Sequence, residues 1–291
     1  MKTCIVGFTQ DAGGREALAL ARTIAGRGNV ALVVCVVTPE SWGPTSLGAD
    51  AQYSRFLEDH AKGSLDEARA LMGDTPNVRY AHVGASSASV GLTQAAERER
   101  ADLIVLGYSG AGSIGRVFLG SATDELLHSA SRPVAIAPPG FAGASALTRV
   151  TVGFSGSEAA HGTVLHALGL AGALGLPLRL ASFEVRERLG YAARVGPDVE
   201  QSMLDRQTAQ TQAALDAVKN QIAVTGYPVE TAIGVGGNWD EALASAGWQE
   251  GDLLLLGSSR LGVLQRVFIG SNATKIVRAS PVPVLVVPRQ G

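Results

Sequence analysis

Residues 101–123, ADLIVLGYSGAGSIGRVFLGSAT, return in altered form as residues 251–273, GDLLLLGSSRLGVLQRVFIGSNA. Each copy is a continuously apolar stretch, a glycine-rich loop, and a Gly-Ser pair placed to open a helix. Gly107 and Gly257 stand 150 residues apart. The chain is therefore two copies of one domain, and 291 residues is enough for two domains of roughly 150 each. The beginnings of the copies agree: Thr3-Cys4-Ile5-Val6-Gly7-Phe8 and Val150-Thr151-Val152-Gly153-Phe154. The Gly-Phe pairs are 146 residues apart, so small insertions separate the copies. A Gly/Ala/Ser-rich linker, 140–148, joins them. The expected domains are 1–140, carrying the complete loop, and 148–291, carrying a degenerate one.

Within each copy, apolar runs alternate with segments of helical period. Strands are expected at about 3–8, 30–37, 78–83, 102–106 and 133–137. Helices are expected between them, at about 14–27, 50–72, 86–99 and 121–130. The second copy shows strands at about 150–154, 177–183, 228–234, 252–256 and 282–287, and a long helix at about 197–224. Runs such as Leu103–Leu106 and Leu253–Leu256 are apolar throughout, as a parallel strand covered on both faces requires. The fold class is α/β: two Rossmann-like, doubly wound domains, each a five-stranded parallel sheet between helices. Ligands of such sheets bind beyond the carboxyl ends of the strands.

Composition narrows the partners. Hydrophobic residues make up 46% of the chain, enough for two cores, and charged residues 17%, which argues against long disordered tails. The formal net charge is −2 with no basic cluster, so a nucleic-acid partner is not expected. Apolar runs such as Val30–Val37 are too short to span a bilayer. Leu165–Leu180, broken by His166 and Arg179, reads as a buried helix leading into a strand. The chain enters a strand at once, and no signal peptide is expected. Cys4 and Cys35 lie in apolar strands and read as small buried hydrophobes, with the reducing cytoplasm as compartment.

The loop of the first copy carries the chemistry. Gly107 permits a sharp exit from the strand. Gly110 has no Cβ, so its backbone can approach a bulky anion. Gly112 and Gly115 keep the loop supple. Gly120 and Ser121 open the next helix, whose free N–H groups and positive dipole end favour negative charge. Ser121 and Thr123 add hydroxyl donors.

This spacing, G-x2-G-x9-G-S, resembles the nucleotide-binding signature of the universal stress protein family. The flanking ADLIVLG and SRPVAIAP look like that family's fourth and fifth strands, and GDLLLLG and SPVPVLVVP stand in the same places in the second copy. The likeness covers nearly the whole chain, as a tandem member. It implies ATP at the strand ends, with or without Mg2+. It also implies pairing through the last strands, Val134–Ala137 and Val284–Val287, as a pseudo-dimer within one chain; a further homodimer stays open. Carried over by motif, the phosphate and ribose contacts fall on Gly107, Gly110, Gly112, Ser113, Gly120, Ser121, Ala122 and Thr123. Adenine would sit near Phe8, Thr9 and Val36.

The pattern departs from the family in two places. ATP-binding members usually show an acidic residue after the first strand; Thr9 and Ser155 stand there instead. That removes a charge-assisted hydrogen bond worth roughly 1.5–3 kcal/mol. Asp11 either substitutes for it or serves as a turn residue or helix cap. In the second copy, Arg260 occupies the place of Gly110, either blocking the pocket or gripping phosphate bidentately. A weakened second site is expected at Ser155, Gly257, Arg260, Gly270, Ser271 and Asn272.

Other motifs fail on context. Gly110-x-Gly112-x-x-Gly115 lacks the acidic residue about 20 positions on that a dinucleotide site needs. No lysine follows either loop as a P-loop requires. Gly107-Tyr108-Ser109-Gly110-Ala111 misses the last glycine of a nucleophile elbow. His60, His82, His128, His161 and His166 show no metal-ligand spacing. Arg116 and Arg266 read as solvated loop arginines, Phe118 and Phe268 as loop anchors. Asp102 and Asp252 read as strand-opening residues with solvated carboxylates. The expected function is ATP binding in a stress response, acting through an unidentified protein partner, with at most slow ATP hydrolysis. The alternatives are a nucleotide-free scaffold of the same fold and, with less support, a small-molecule enzyme reusing the cleft.

Overall fold

The apolar runs pair in parallel with one another. The computed structural model describes residues 2–26, 28–40, 49–108, 119–186, 197–258 and 270–288. Two compact units divide between Ala146 and Leu147.

The first unit contains β1 (Thr3–Gly7), α1 (Ala12–Ala25), β2 (Ala31–Pro39), α2 (Ala49–Met72), β3 (Val78–Ala85), α3 (Ala88–Arg98), β4 (Leu103–Leu106), α4 (Ser121–Ser129) and β5 (Val134–Ile136). Its strands are ordered β3-β2-β1-β4-β5, all parallel. The second unit contains β6 (Arg149–Gly153), α5 (Glu158–Leu174), β7 (Leu178–Val185), α6 (Pro197–Ala223), β8 (Val229–Gly236), α7 (Trp239–Ala244), β9 (Asp252–Gly257), α8 (Ser271–Ala279) and β10 (Val284–Val287). Its order is β10-β9-β6-β7-β8, again parallel. The crevice of such a sheet opens between β1 and β4, where the strand order reverses and the connections leave toward opposite faces. In the second unit the same place lies between β6 and β9.

Helix starts follow from local chemistry. Asp11 caps α1 by accepting the Gly14 N–H at 2.8 Å. Ser87 caps α3 through Val90, and Asn238 caps α7 through Glu241. One face of α1 sends Ala17, Leu20, Ala21 and Ile24 into the core, each at most 2% exposed, the spacing of an amphipathic helix. α1 packs over β1 and β4, where Cys4, Val6, Leu103 and Val105 are all buried.

Two features differ from expectation. β2 and β3 run past the end of β1: the last β1–β2 pair is Gly7↔Cys35, yet β2–β3 pairing continues to Pro39↔Ala85. At about 3.3 Å per residue, a two-stranded wing stands about 13 Å above the floor of the cleft. β7 and β8 repeat it, pairing to Val185↔Gly236 beyond Gly153↔Ala181. Second, α5 is not wholly buried. It packs through Ala160, Val164, Ala167 and Ala171, while Leu165 is 69% exposed, because a helix beside a sheet buries one face only.

Candidate functional site

The described candidates of the first unit converge at the strand ends. Gly7 ends β1 beside Cys35, and the Phe8 N–H continues the ladder to the Cys35 carbonyl at 3.0 Å. On the other side Val6 pairs with Val105, which brings Gly107 to the same rim. Thr123, in the first turn of α4, turns its hydroxyl back onto the Gly107 carbonyl at 3.5 Å. Phe8, Val36 and Thr123 are buried, whereas Thr9 and Ser121 are exposed. The side chains of Phe8 and Val36 are thus already packed in the core, and the exposed groups at the rim are polar. Gly110, Gly112, Ser113, Arg116 and Phe118 lie outside the described residues.

Gly107 does not adopt a positive φ. Its glycine is required by proximity: a Cβ there would lie 1.9 Å from the carbonyl oxygen of Gly13. The end of β4 and the start of α1 pack main chain to main chain, so both helix N-termini are drawn to one rim. The α4 terminus differs from that of α1. Its N-cap is Gly120, with no side-chain cap hydrogen bond, and the first intrahelical bond runs from the Asp124 N–H to the Gly120 carbonyl. The amides of Ser121, Ala122 and Thr123 therefore precede the helical ladder. α1 and α3, by contrast, are closed by Asp11 and Ser87.

Asp11 is engaged at the start of α1. It accepts both the Gly14 N–H and the Thr9 hydroxyl, the latter at 2.7 Å, so it serves as the helix cap and holds Thr9 as well. In the second unit Ser155 is likewise engaged with Ser157, at 2.9 Å between hydroxyls. Gly257 sits at the end of β9, and Gly270 opens α8 with no side-chain cap; Ser271 and Asn272 are exposed. Arg260, Arg266 and Phe268 lie outside the described residues.

The universal stress protein family model matches residues 1–138 and again 147–288. The chain belongs to the universal stress protein family. A universal stress protein of Mycobacterium tuberculosis strain H37Rv is 36% identical over 291 residues, covering 98% of this chain and 99% of the relative. A solved universal stress protein of Archaeoglobus fulgidus shares the fold at a TM-score of 0.67 and 20% identity, covering 99% of this chain and 98% of that one. A functionally unknown protein of Pseudomonas aeruginosa shares it at 0.61 and 16%, covering 99% and 92%. This tandem universal stress protein therefore repeats the whole family unit twice.

Three groups of residues in this universal stress protein escape a reading of the sequence alone. Asp252 is not solvated, as expected of it, but fully buried. It binds the Arg149 guanidinium through two contacts of 2.9 and 2.7 Å. The opposing residue decides this: the register sets Arg149 against Asp252. Arg179 joins them, stacked over Trp248 at 4.7 Å. Burial pushes the Arg179 pKa down, and the neighbouring Arg149 charge adds to the fall, while the hydrogen bonds and charge of Asp252 hold Arg149 up. This cluster lies at the opposite strand ends from the cleft and is structural. Asp102, its counterpart, is exposed as expected and accepts the Lys2 and Thr3 amides.

The second group is Glu184, 7% exposed, on the wing of the second unit. It accepts hydroxyls from Thr208 and Thr211 of α6 at 2.8 and 2.7 Å. The third is Glu16 of α1, also buried. Its signal was present in the sequence: Glu16, Leu20 and Ile24 are four apart, so a carboxyl shares the core-facing side of α1. Among the described residues no group of three or more His, Cys, Asp or Glu could hold a metal, and no helix is long and apolar enough to cross a membrane.

Proposed function

We propose that the first domain binds ATP at the N-terminus of α4, and that nucleotide occupancy changes which protein partner the chain engages during a stress response. The observation that carries this reading is the uncapped first turn of α4, facing the rim where β1 and β4 end. Three main-chain amides and the helix dipole suit a polyphosphate. The glycine loop that precedes them supplies the spacing G-x2-G-x9-G-S. Mg2+ would arrive with the nucleotide, whose phosphates are its natural ligands. The second domain is proposed to bind weakly or not at all, since Arg260 replaces the glycine equivalent to Gly110.

A nucleotide-free scaffold is the second reading. It is favoured by the engagement of Thr9 with Asp11 and of the Thr123 hydroxyl with Gly107, which leaves fewer side-chain donors for a ribose or phosphate. Calorimetric titration of the full chain with Mg-ATP separates the two. One site per chain, lost in Gly110→Arg, supports ATP binding by the first domain. Two equivalent tight sites overturn the asymmetry, and no binding at all supports the scaffold.

A further inference from the structure

α2 and α6 each join the second strand of their unit to the third, yet they are seated differently. Among the described residues of α6, none before Leu215 is buried, whereas Leu215, Val218 and Ile222 are at most 6% exposed. α2 buries Leu57 and Ala61 in addition to Ser64, Leu65, Ala68 and Met72. Leu57 stands 21 residues before the start of β3, and Thr208 stands 21 before the start of β8. Ala61 and Gln212 each stand 17 before the same strands. Where the first unit sets apolar side chains against its wing, the second sets a threonine and a glutamine.

What these side chains meet on the second wing is polar too. Thr208 and Thr211 donate to opposite oxygens of the Glu184 carboxylate. The Thr208 hydroxyl in turn accepts from the Arg186 guanidinium at 3.0 Å, and Gln212 donates to the Thr231 hydroxyl at 3.3 Å. Both oxygens of Glu184 are thus tied to α6. Its counterpart in the first unit is Thr38, since each stands three residues past the last pair between the first two strands, Cys35 and Ala181. Thr38 makes its bond within the wing itself, to His82 at 2.7 Å.

Polar and apolar seats come apart differently. Apolar surface that opens to water loses its stabilisation outright. Hydroxyls, carboxylates and amides recover most of their hydrogen bonding from water. A short helical stretch without buried apolar contacts is marginal on its own. We propose that residues 197–214 are an arm that opens reversibly from the wing of the second unit in the native protein, with Glu184 as its clasp, while 215–223 stay docked. Val199 and Met203 are already 48% and 65% exposed, so opening chiefly uncovers the polar groups of the clasp. The first unit has no such arm, because α2 is seated on Leu57 and Ala61. The contrast holds whether or not either domain binds nucleotide.

Amide exchange of the full wild-type chain, followed residue by residue by nuclear magnetic resonance, tests this without a variant. Amides 203–214 should exchange about a hundredfold faster than amides 215–222. In α2, amides 55–63 should stay within about tenfold of amides 64–71. Equal protection along α6, or the same step in α2, overturns the arm. Glu184→Gln should speed 203–214 about tenfold, as loss of charged hydrogen bonds predicts, and leave 215–222 unchanged. No effect, or an equal effect on both stretches, overturns the clasp. The double change of Glu184→Thr with Thr208→Leu gives the second unit the residues of the first and should slow the arm about tenfold. An arm that exchanges as fast as before means that its polar seat is not what loosens it.

Discussion

Asp102 and Asp252 occupy the same place in two copies of one fold and lead opposite lives. Asp102 is exposed and accepts the main-chain amides of Lys2 and Thr3 at 2.5 and 3.2 Å. Asp252 is fully buried and balances Arg149, with Arg179 at 3.6 Å. Thr3 stands opposite the first carboxylate where Arg149 stands opposite the second, and Val33 of β2 stands where β7 has Arg179. The duplicated residue did not change; its neighbours did. A conserved letter in a repeat therefore says where a group is, and the register partner says what it does.

The largest test of this contrast removes the charge from each. Asp252→Asn leaves the buried Arg149 and Arg179 with only the exposed Glu230, 3.0 Å from Arg149, as counter-charge, and should destabilise the second unit by about 3 kcal/mol. Asp102→Asn should cost the first unit under about 1.5 kcal/mol, because water replaces what is lost. Urea unfolding followed by the fluorescence of Trp248, which stacks on Arg179, reads the first of these, and far-ultraviolet circular dichroism reads both. Similar losses would erase the distinction.

Next come the glycines that end β4 and β9. Gly107→Ala places a Cβ 1.9 Å from a main-chain oxygen and should cost about 2–3 kcal/mol, since main chain must move. Gly257→Ala meets the side chain of Thr163 at 2.1 Å, which can rotate away, and should cost about 1 kcal/mol. If Thr163→Ala does not relieve Gly257→Ala, rotation is not the explanation.

The two carboxyls of the first unit offer a sharper comparison through pH. Burial pushes Asp102 up, but the Lys2 and Thr3 amides outweigh it and the net shift is down. Its stabilisation is present above its unfolded pKa and is lost as pH falls through the folded value, so the penalty of Asp102→Asn should shrink on acidification. Glu16 shifts up. Its contribution is full below its unfolded pKa and is lost as pH rises through the folded value. The penalty of Glu16→Gln should therefore shrink as pH rises from about 4.5. Thermal unfolding across pH 3–7 reads both slopes; slopes of one sign would break the assignment. The smallest effect concerns Asp124, an acid in the first turn of α4 that has no counterpart in α8. Asp124→Asn should tighten Mg-ATP about twofold by removing like charge from the helix terminus. Calorimetry against wild type decides it.

The alternation of strands and helices was readable because continuous apolar runs such as Leu103–Leu106 have no other use in a parallel sheet. The far end of the wing was not, since Thr38 and Gly84 break the apolar runs although their main chain stays paired. The uncapped α4 was readable from Gly120-Ser121. The Arg149–Asp252 pair was not, because its members lie 103 residues apart and meet only once the register is known. Asp11 was readable as either substitute or cap, and its bond to Gly14 shows the cap. For Gly107 the expected need was a bend, and the observed one is room for Gly13.

That contact between Gly107 and Gly13 has an evolutionary side. Where two backbones touch with nothing between them, no compensating exchange is available: neither partner has anything smaller to become. Charges, caps and wing residues differ between the two halves of this molecule, whereas a junction of this kind can only be kept or broken. In the other half the glycine faces a threonine instead, so there a second change can undo a first. Of these two junctions, the one between bare backbones should be the slower to wander.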